Sequence, residues 1–205
     1  MTVRCLPMGE AALLVCCDDL ATVRRLDAAL TAAALPWVAE TVPAYDSVLV
    51  VGRPGCGPDL DALAGELPSW QLPDVPVTHG AAVLIDVVYD GQDLADVCAL
   101  TGLAAAEVVR RHTAVDYTVA FVGFSPGFPY LLGLDPVLRV PRLDSPRTAV
   151  PPGSVGIGGD QTGVYPTSTP GGWRLIGRTS TALFDPAREP ASLLQAGDTV
   201  RFVAR

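Results

Sequence analysis

Lysine is missing from this sequence of 205 residues, and all 14 of its basic residues are arginine. A Walker-A loop needs its lysine to contact the nucleotide phosphates, and a Schiff base needs a lysine amine. Neither can form on this chain. We predict no cofactor bound by this chain, and we expect any ATP that its system uses to be activated on another chain.

Histidine and clustered cysteine are also scarce. The only histidines are His79 and His112, and the five cysteines form no C-x-x-C pair. Because a zinc site needs clustered Cys or His ligands, we predict no metal site. Free thiols that pack as small hydrophobes are typical of a reducing compartment, and we expect the protein to be cytoplasmic.

Long hydrophobic runs are absent as well. The longest apolar stretch, Ala11–Cys17, is far shorter than the ~20 residues that cross a bilayer. Glu10 precedes it and no small-residue cleavage site follows, so we predict neither a signal peptide nor a membrane association. An apolar content of 49% with 18% charged residues is typical of a folded globular protein.

The net charge of -8 argues against a nucleic-acid partner. The charge is unevenly spread along the chain. Residues 1–109 hold 15 acidic residues and 4 arginines, whereas residues 110–205 hold 7 acidic residues and 10 arginines. This difference predicts that the second region is the one suited to an anionic ligand.

The first part of the chain has the pattern of a small α+β domain. Apolar periodicity predicts a strand, a helix, a strand and a helix in turn: Ala11–Cys17, Thr22–Ala34, Val42–Val51 and Asp59–Leu67. Leu67–His79 carries three prolines and is the predicted linker. We therefore predict one domain over residues 1–78 and a second over residues 79–205.

The second part is rich in turn-forming residues. A strand, two helices, a further strand and a closing strand are predicted over Ala82–Tyr89, Leu94–Leu100, Ala104–His112, Tyr117–Phe124 and Asp198–Val203. Between Gly123 and Gly177 lie 11 of the 20 glycines and 9 of the 19 prolines, so no regular helix fits there. Short strands with tight turns, as in a small barrel with a loop-built groove, fit this composition.

Two apparent catalytic motifs do not meet the physical needs of their chemistry. The segment from Gly123 to Gly127 matches G-x-S-x-G, but Pro126 follows the serine and has no N–H for an oxyanion hole. The segment Gly156–Gln161 lacks the third glycine of a dinucleotide loop, and no helix opens after it. A glycine-rich strand and turn explains the second segment better.

Three residues are candidates for chemistry on the basis of type and position. His112 could act as a general acid or base, or it could be a helix-end histidine that faces the helix dipole. Arg142 and Arg147 lie in a loop fixed by prolines, where they could hold a carboxylate or phosphate or form ordinary ion pairs. Spacing alone leaves both alternatives open.

Five motifs of the second part occur in the order found in a known family. They are Gly-Phe-Ser-Pro-Gly-Phe-Pro-Tyr-Leu from 123, Pro-Arg…Pro-Arg from 141, Val-Pro-Pro-Gly-Ser-Val-Gly-Ile from 150, Gln-Thr-Gly-Val-Tyr-Pro from 161 and Pro-Gly-Gly-Trp-Arg-Leu-Ile-Gly-Arg-Thr from 170. Together they closely resemble the family of 5-oxoprolinase B subunits, also called allophanate hydrolase subunit 1, of the carboxyltransferase subdomain C or D type. One member of that family inhibits a sporulation sensor kinase.

The resemblance implies an α+β fold, with a small N-terminal α+β domain followed by a cyclophilin-like β-barrel. It implies that the chain works with a homologous barrel-containing partner (the C subunit, or allophanate hydrolase subunit 2) and, in the 5-oxoprolinase case, with a third, ATP-dependent A subunit. The expected reaction opens the lactam of 5-oxoproline to give glutamate. Alternatives are part of an allophanate hydrolase or urea carboxylase, a histidine-kinase inhibitor and, last, a proline isomerase suggested by the barrel alone.

We place the expected site on the motifs of the second domain. Arg142, Arg147 and Arg178 are predicted to hold a carboxylate or a phosphorylated intermediate, and His112 to manage a proton. The remaining predicted substrate-binding residues are Phe124, Phe128, Tyr130, Ser154, Gln161, Tyr165 and Trp173. The aromatic members of this set are expected to exclude water from the groove.

Overall fold

The structure, a computed structural model, describes residues 4–53, 60–74 and 79–205. The chain forms two compact units, Met1–Val77 and Thr78–Arg205. The end of the predicted linker, residues 75–78, lies outside the described residues, as does the first residue of the predicted helix Asp59–Leu67.

The N-terminal unit is a four-stranded antiparallel sheet with one long helix. Its strands lie in the order β1-β2-β4-β3. The elements are β1 (Arg4–Pro7), β2 (Ala12–Cys16), α1 (Leu20–Ala33), β3 (Val38–Pro43), β4 (Ser47–Gly52) and α2 (Leu60–Glu66), followed by a 3₁₀ turn over Leu67–Ser69. Helix α1 buries Val23, Leu26 and Leu30, and the Asp19 side chain caps it by accepting a 2.7 Å hydrogen bond from the backbone N–H of Thr22.

The prediction of a single strand over Val42–Val51 is wrong. The chain reverses there, since β3 ends at Pro43 and the backbone N–H of Ala44 donates to the carbonyl of Ser47 at 2.8 Å. Proline cannot donate to a sheet ladder, and the aspartate that precedes Ser47 favours a turn. Apolar residues on both sides of the turn gave the appearance of one long strand.

The C-terminal unit contains two helices and nine strands among the described residues. The helices are α3 (Leu94–Thr101) and α4 (Ala105–Thr113). The strands are β5 (His79–Val87), β6 (Tyr117–Val122), β7 (Pro129–Leu132), β8 (Arg147–Val150), β9 (Ser154–Gly158), β10 (Gln161–Val164), β11 (Thr169–Gly171), β12 (Arg174–Arg178) and β13 (Asp198–Ala204). A 3₁₀ turn covers Pro136–Leu138.

Seven of these strands form one strongly curled sheet in the order β12-β9-β10-β7-β6-β13-β5. β13 runs parallel to β5, and the neighbouring pairs of the rest of the sheet are antiparallel. A bridge between Val88 and Arg178 brings the end of β5 back to β12, so the sheet is nearly closed. This arrangement confirms the predicted α+β class with a C-terminal barrel.

The interior of the barrel is apolar. Ile85, Leu131, Ile157 and Ile176 are fully buried in it, and Val108 of α4 packs against the same core. These side chains come from strands that are distant in sequence, so the core fixes the strand order. Within the described ranges, no helix is long and apolar enough to cross a membrane.

Candidate functional site

Six of the predicted site residues line one small cavity of about 90 Å³, here called the aromatic pocket. Its walls come from the β6–β7 loop, β7, the loop before β8, the residue that follows β10, and the end of β11 with the turn after it. The lining residues are Phe124, Phe128, Tyr130, Arg142, Tyr165, Gly171, Gly172 and Trp173. The structure thus brings together side chains that are up to 49 positions apart in the sequence.

Phe128 is the centre of the aromatic pocket. Its ring centroid lies 5.1 Å from that of Tyr130, 5.1 Å from that of Tyr165 and 5.3 Å from that of Trp173, all in edge-to-face geometry. Such contacts are the preferred arrangement of aromatic rings and fix their orientation. The walls of the pocket are therefore formed before any ligand arrives.

Two glycines leave the space that the indole ring of Trp173 occupies in the wall of the pocket. A Cβ atom at Gly158 would lie 2.5 Å from an indole carbon of Trp173, and one at Gly163 would lie 3.0 Å from another. A side chain at either position would collide with the indole. Gly158 belongs to the segment interpreted above as a glycine-rich strand, and the sequence carried no sign that its glycines make room for a ring 15 residues later.

The loop that carries Phe124 explains why G-x-S-x-G is not a nucleophile elbow here. Residues 123–127 join strand β6 to strand β7, and no helix follows them. Phe124 itself has a φ of 68°, in the left-handed region, and its side chain is 61% exposed at the mouth of the pocket. A left-handed non-glycine residue is a strained position, which is often found at binding sites.

Arg142 is the cation of the aromatic pocket. Its guanidinium carbon lies 5.7 Å from the ring centroid of Trp173, in a cation–π contact. The side chain is exposed, and it forms no ion pair with any carboxylate of the described residues. Its charge is therefore available to an anionic ligand.

Arg147 was predicted to hold an anion as well, but its guanidinium is already neutralised. One of its terminal nitrogens donates to both carboxylate oxygens of Asp93, at 2.5 and 2.7 Å, and the other donates to the carbonyl of Trp173 at 3.2 Å. Asp93 also accepts the backbone N–H of Leu175 at 2.7 Å. This largely buried network positions the turn before β12, and Asp93 already supplies the carboxylate partner of Arg147.

Arg178 and Ser154 lie at a second cavity, of about 220 Å³, here called the Asp90–Arg178 pocket. Its lining residues are Asp90, Gly91, Gln92, Pro151, Pro152, Ser154, Leu175, Gly177 and Arg178. Arg178 donates to Asp90 at 2.8 to 3.1 Å, and the Ser154 hydroxyl donates to the Pro151 carbonyl at 2.7 Å. The two pockets share no lining residue, so the predicted single groove is divided into two sites.

His112 is fully buried in the barrel core, away from both pockets. Nδ1 lies 2.7 Å from the hydroxyl of Tyr89, and Nε2 lies 2.9 Å from the hydroxyl of Thr162. Because the Thr162 hydroxyl donates to the Gly156 carbonyl, it must accept from Nε2–H, and Tyr89 donates to Nδ1. Burial lowers the pKa of His112 to about 3, so the ring stays neutral.

This placement gives the predicted catalytic role of His112 no support. Both ring nitrogens are engaged, and the ring stacks on Phe202 with the centroids 4.6 Å apart. The hydrogen bond of His112 to Thr162 links helix α4 to strand β10, so the residue has a structural role in the core. Gln161, also predicted to bind substrate, begins β10 opposite Gly158 and lines neither pocket.

The uneven charge along the sequence is largely balanced within the C-terminal unit. Each acidic residue between positions 78 and 109 pairs with an arginine that follows position 109. The pairs are Asp86–Arg205, Asp90–Arg178, Asp93–Arg147, Asp96–Arg174, and Glu107 with Arg110 and Arg111. The arginine-rich half is thus mostly neutralised, and Arg142 is an exception. No three His, Cys, Asp or Glu side chains of the described residues come together as a metal site.

Comparisons with known proteins agree with the resemblance in the sequence. The profile of the family described as carboxyltransferase domain, subdomain C and D, matches residues 3–194. The B subunit of 5-oxoprolinase from Escherichia coli O157:H7 is 44% identical over 207 residues, which cover 98% of this chain and 95% of that protein.

Solved structures show the same fold. The protein TTHA0988 matches with a TM-score of 0.80 at 36% identity over 100% of this chain, which spans only 40% of that longer chain. The urea carboxylase of Kluyveromyces lactis matches with a TM-score of 0.75 at 19% identity, over 99% of this chain and 22% of that chain. At that identity, the second match shows the fold alone.

Proposed function

Since this chain belongs to the family of carboxyltransferase domains of the subdomain C and D type, we propose that it is the B subunit of a heteromeric, ATP-dependent 5-oxoprolinase. This complex opens the lactam of 5-oxoproline to give glutamate. The name of the relative from Escherichia coli, which matches over nearly its whole length, supports the proposal. In the complex, this chain contributes a binding site, and it is inactive alone.

The observation that carries the proposal is the position of Arg142 over the aromatic pocket. 5-Oxoproline is a five-membered lactam ring with one carboxylate. The faces of Phe128, Tyr130 and Trp173 suit the flat ring, and the guanidinium of Arg142 suits the carboxylate. A cavity of about 90 Å³ suits a ligand of this small size.

The reaction breaks the lactam C–N bond. Water supplies the hydroxyl group that joins the carbonyl carbon and the proton that joins the nitrogen. ATP transfers its terminal phosphoryl group to the carbonyl oxygen and leaves as ADP, a step that takes place on another chain of the complex because this chain has no lysine for a Walker-A loop. After the C–N bond has broken, a second water releases the phosphoryl group, so the products are glutamate, ADP and inorganic phosphate. Arg142 orients the substrate. When a partner covers the mouth of the pocket, the aromatic walls exclude bulk water, which strengthens the contact of Arg142 with the carboxylate.

The chain needs partners to complete the site. We propose that a homologous barrel-containing protein covers the mouth of the aromatic pocket and that a separate ATP-dependent protein joins the complex. The exposed ring of Phe124 at that mouth would be buried by such a barrel-containing partner.

The test is ATP-dependent formation of glutamate from 5-oxoproline, measured for this chain alone and for the complex with its partners. We expect activity only in the complex. Arg142→Ala should raise KM about tenfold or more, because a charge-assisted hydrogen bond contributes roughly 1.5–3 kcal/mol. Arg139→Ala is the matched control, since Arg139 is exposed and does not line the pocket.

Other outcomes would redirect the proposal. An unchanged KM in Arg142→Ala would remove the aromatic pocket from the substrate site. An assembled complex that turns over urea or allophanate, and not 5-oxoproline, would move the chain to the urea carboxylase type. The histidine-kinase inhibitor remains a prediction, which a chain that fails to assemble with hydrolase partners would favour.

A further inference from the structure

The proposed function makes no use of the Asp90–Arg178 pocket. This cavity of about 220 Å³ opens between the segment 90–92, the turn at Pro151 and Pro152, and strand β12. It is larger than the aromatic pocket, which measures about 90 Å³. Its chemistry also differs, because a carboxylate and a guanidinium face each other where the aromatic pocket has one cation.

The walls of this pocket are held by backbone contacts. A Cβ atom at Gly91 would lie 2.3 Å from the backbone of Ile176 and Leu175, and one at Gly177 would lie 2.7 Å from the carbonyl of Val88. Two prolines fix the opposite turn. Because backbone and proline ring cannot rearrange as side chains do, the cavity is preformed, as small-molecule sites usually are.

The charged groups of the pocket are accessible. The side chains of Arg178 and Asp90 are 67% and 46% exposed, although they bond to each other. An ion pair this exposed contributes little to stability, so it opens easily. The other polar side chains are less available, since the Ser154 hydroxyl is bonded to the Pro151 carbonyl and Gln92 faces Arg147.

A ligand must satisfy both charges if it is to replace this ion pair favourably. An anionic ligand would pair with Arg178 and leave Asp90 without its partner. A cationic ligand would pair with Asp90 and leave Arg178 without its partner. A ligand that carries both charges exchanges one ion pair for two. Leu175 and the two prolines then offer an apolar wall to the rest of the ligand.

We infer that the Asp90–Arg178 pocket binds a small zwitterionic α-amino acid. Its ammonium group contacts Asp90, its carboxylate contacts Arg178, and its side chain packs against Leu175. The site is independent of the aromatic pocket and does not depend on the proposed reaction.

The experiment is isothermal titration of the full chain with a panel of amino acids, followed by the two half-ligands of the tightest binder. If that binder is leucine, the half-ligands are isocaproate, which lacks the ammonium group, and isopentylamine, which lacks the carboxylate. We expect each half-ligand to bind at least about tenfold more weakly. Asp90→Asn and Arg178→Gln should each weaken amino-acid binding by a similar factor.

The matched control is Asp116→Asn, which breaks an ion pair of similar exposure with Arg201 elsewhere on the barrel. It should leave amino-acid binding unchanged. The inference is overturned if no amino acid binds, if a half-ligand binds as tightly as the whole molecule, or if Arg178→Gln binds normally. The inference is also overturned if Asp116→Asn weakens amino-acid binding as much as Asp90→Asn does. None of these readouts requires turnover of 5-oxoproline, so the two proposals fail separately.

Discussion

In the N-terminal unit, one helix covers a four-stranded antiparallel sheet, and Leu13, Val15, Leu26 and Val48 form an apolar core. In the C-terminal unit, seven strands curl around an apolar interior that also holds a neutral histidine. Eight ion pairs join described side chains of this second unit. Apolar burial dominates the first unit, whereas polar groups help to position the elements of the second.

This difference indicates which unit tolerates amino-acid substitutions without a loss of stability. An apolar core tolerates substitutions that conserve volume, because its contacts are not directional. Buried polar networks need every member, because a partner left unpaired is destabilising. Both pockets lie in the unit that depends on such directional contacts, so binding and stability are expected to be coupled there more closely than in the N-terminal unit.

The largest expected effect comes from His112→Ala. The change leaves a cavity and takes away the hydrogen-bond partner of Tyr89 and that of Thr162. We expect the free energy of unfolding of the C-terminal unit to fall by about 4 kcal/mol. Amide hydrogen exchange measured separately in each unit checks this, and equal loss of protection in both units would contradict the comparison.

The burial of His112 should also make the stability of the C-terminal unit depend on pH. The pKa of His112 is about 3 in the folded protein and 6.5 in an unfolded chain. The unfolded state therefore binds the extra proton below pH 6.5, and stability falls by up to about 1.4 kcal/mol per pH unit as the pH falls from there towards 3. The His112→Ala variant should lack this component, which a pH series of unfolding curves would show.

Asp93→Asn is expected to have the next largest effect. It leaves the guanidinium of Arg147 without its charged partner in a partly buried position. We expect a loss of about 3 kcal/mol in the C-terminal unit, since removal of one partner from a buried ion pair leaves an uncompensated charge. Chemical denaturation followed by Trp173 fluorescence in a variant with the other tryptophans replaced checks this.

The control for Asp93→Asn is again Asp116→Asn. That carboxylate is 45% exposed, and its ion pair should contribute less than about 1 kcal/mol. Similar losses in the two variants would mean that burial does not distinguish the ion pairs of the barrel.

The smallest expected changes in stability come from replacing one glycine in each unit with alanine. Gly65 lies in helix α2, and a Cβ atom there would meet no atom within 4 Å apart from its chain neighbours and the backbone of its own helix. Gly65→Ala should therefore stabilise the N-terminal unit by about 0.5–1 kcal/mol. Gly158→Ala should do the opposite, by about 2 kcal/mol, because its Cβ would meet the indole of Trp173 at 2.5 Å. Thermal unfolding checks both signs, and a gain of stability in Gly158→Ala would show that the indole moves freely.

The sequence was most informative where local rules act alone. The spacing of Val23, Leu26 and Leu30 placed helix α1 within a few residues of its observed bounds. Glycine and proline content, together with the ordered motifs, predicted a barrel of short strands, and the motifs supplied the six pocket residues that meet around Phe128.

Contacts between distant segments were not predictable in the same way. Asp93 is 54 residues from Arg147, and Asp90 is 88 residues from Arg178. Which arginine forms no ion pair depends on the register of strands that the sequence pattern does not specify, so Arg142, Arg147 and Arg178 looked equivalent although the last two pair with described carboxylates. The burial of His112 likewise follows from the face of α4 that the barrel covers.

The parallel pairing of β13 with β5 has a consequence for synthesis on the ribosome. β13 lies between β5 and β6 in the sheet, yet it begins 111 residues after β5 ends. In the nascent chain, the edges of β5 and β6 that β13 will cover therefore stay unpaired until residues 198–204 have left the exit tunnel. Because pairing of strands so distant in sequence is slow, this interval is when the new chain most needs protection by chaperones.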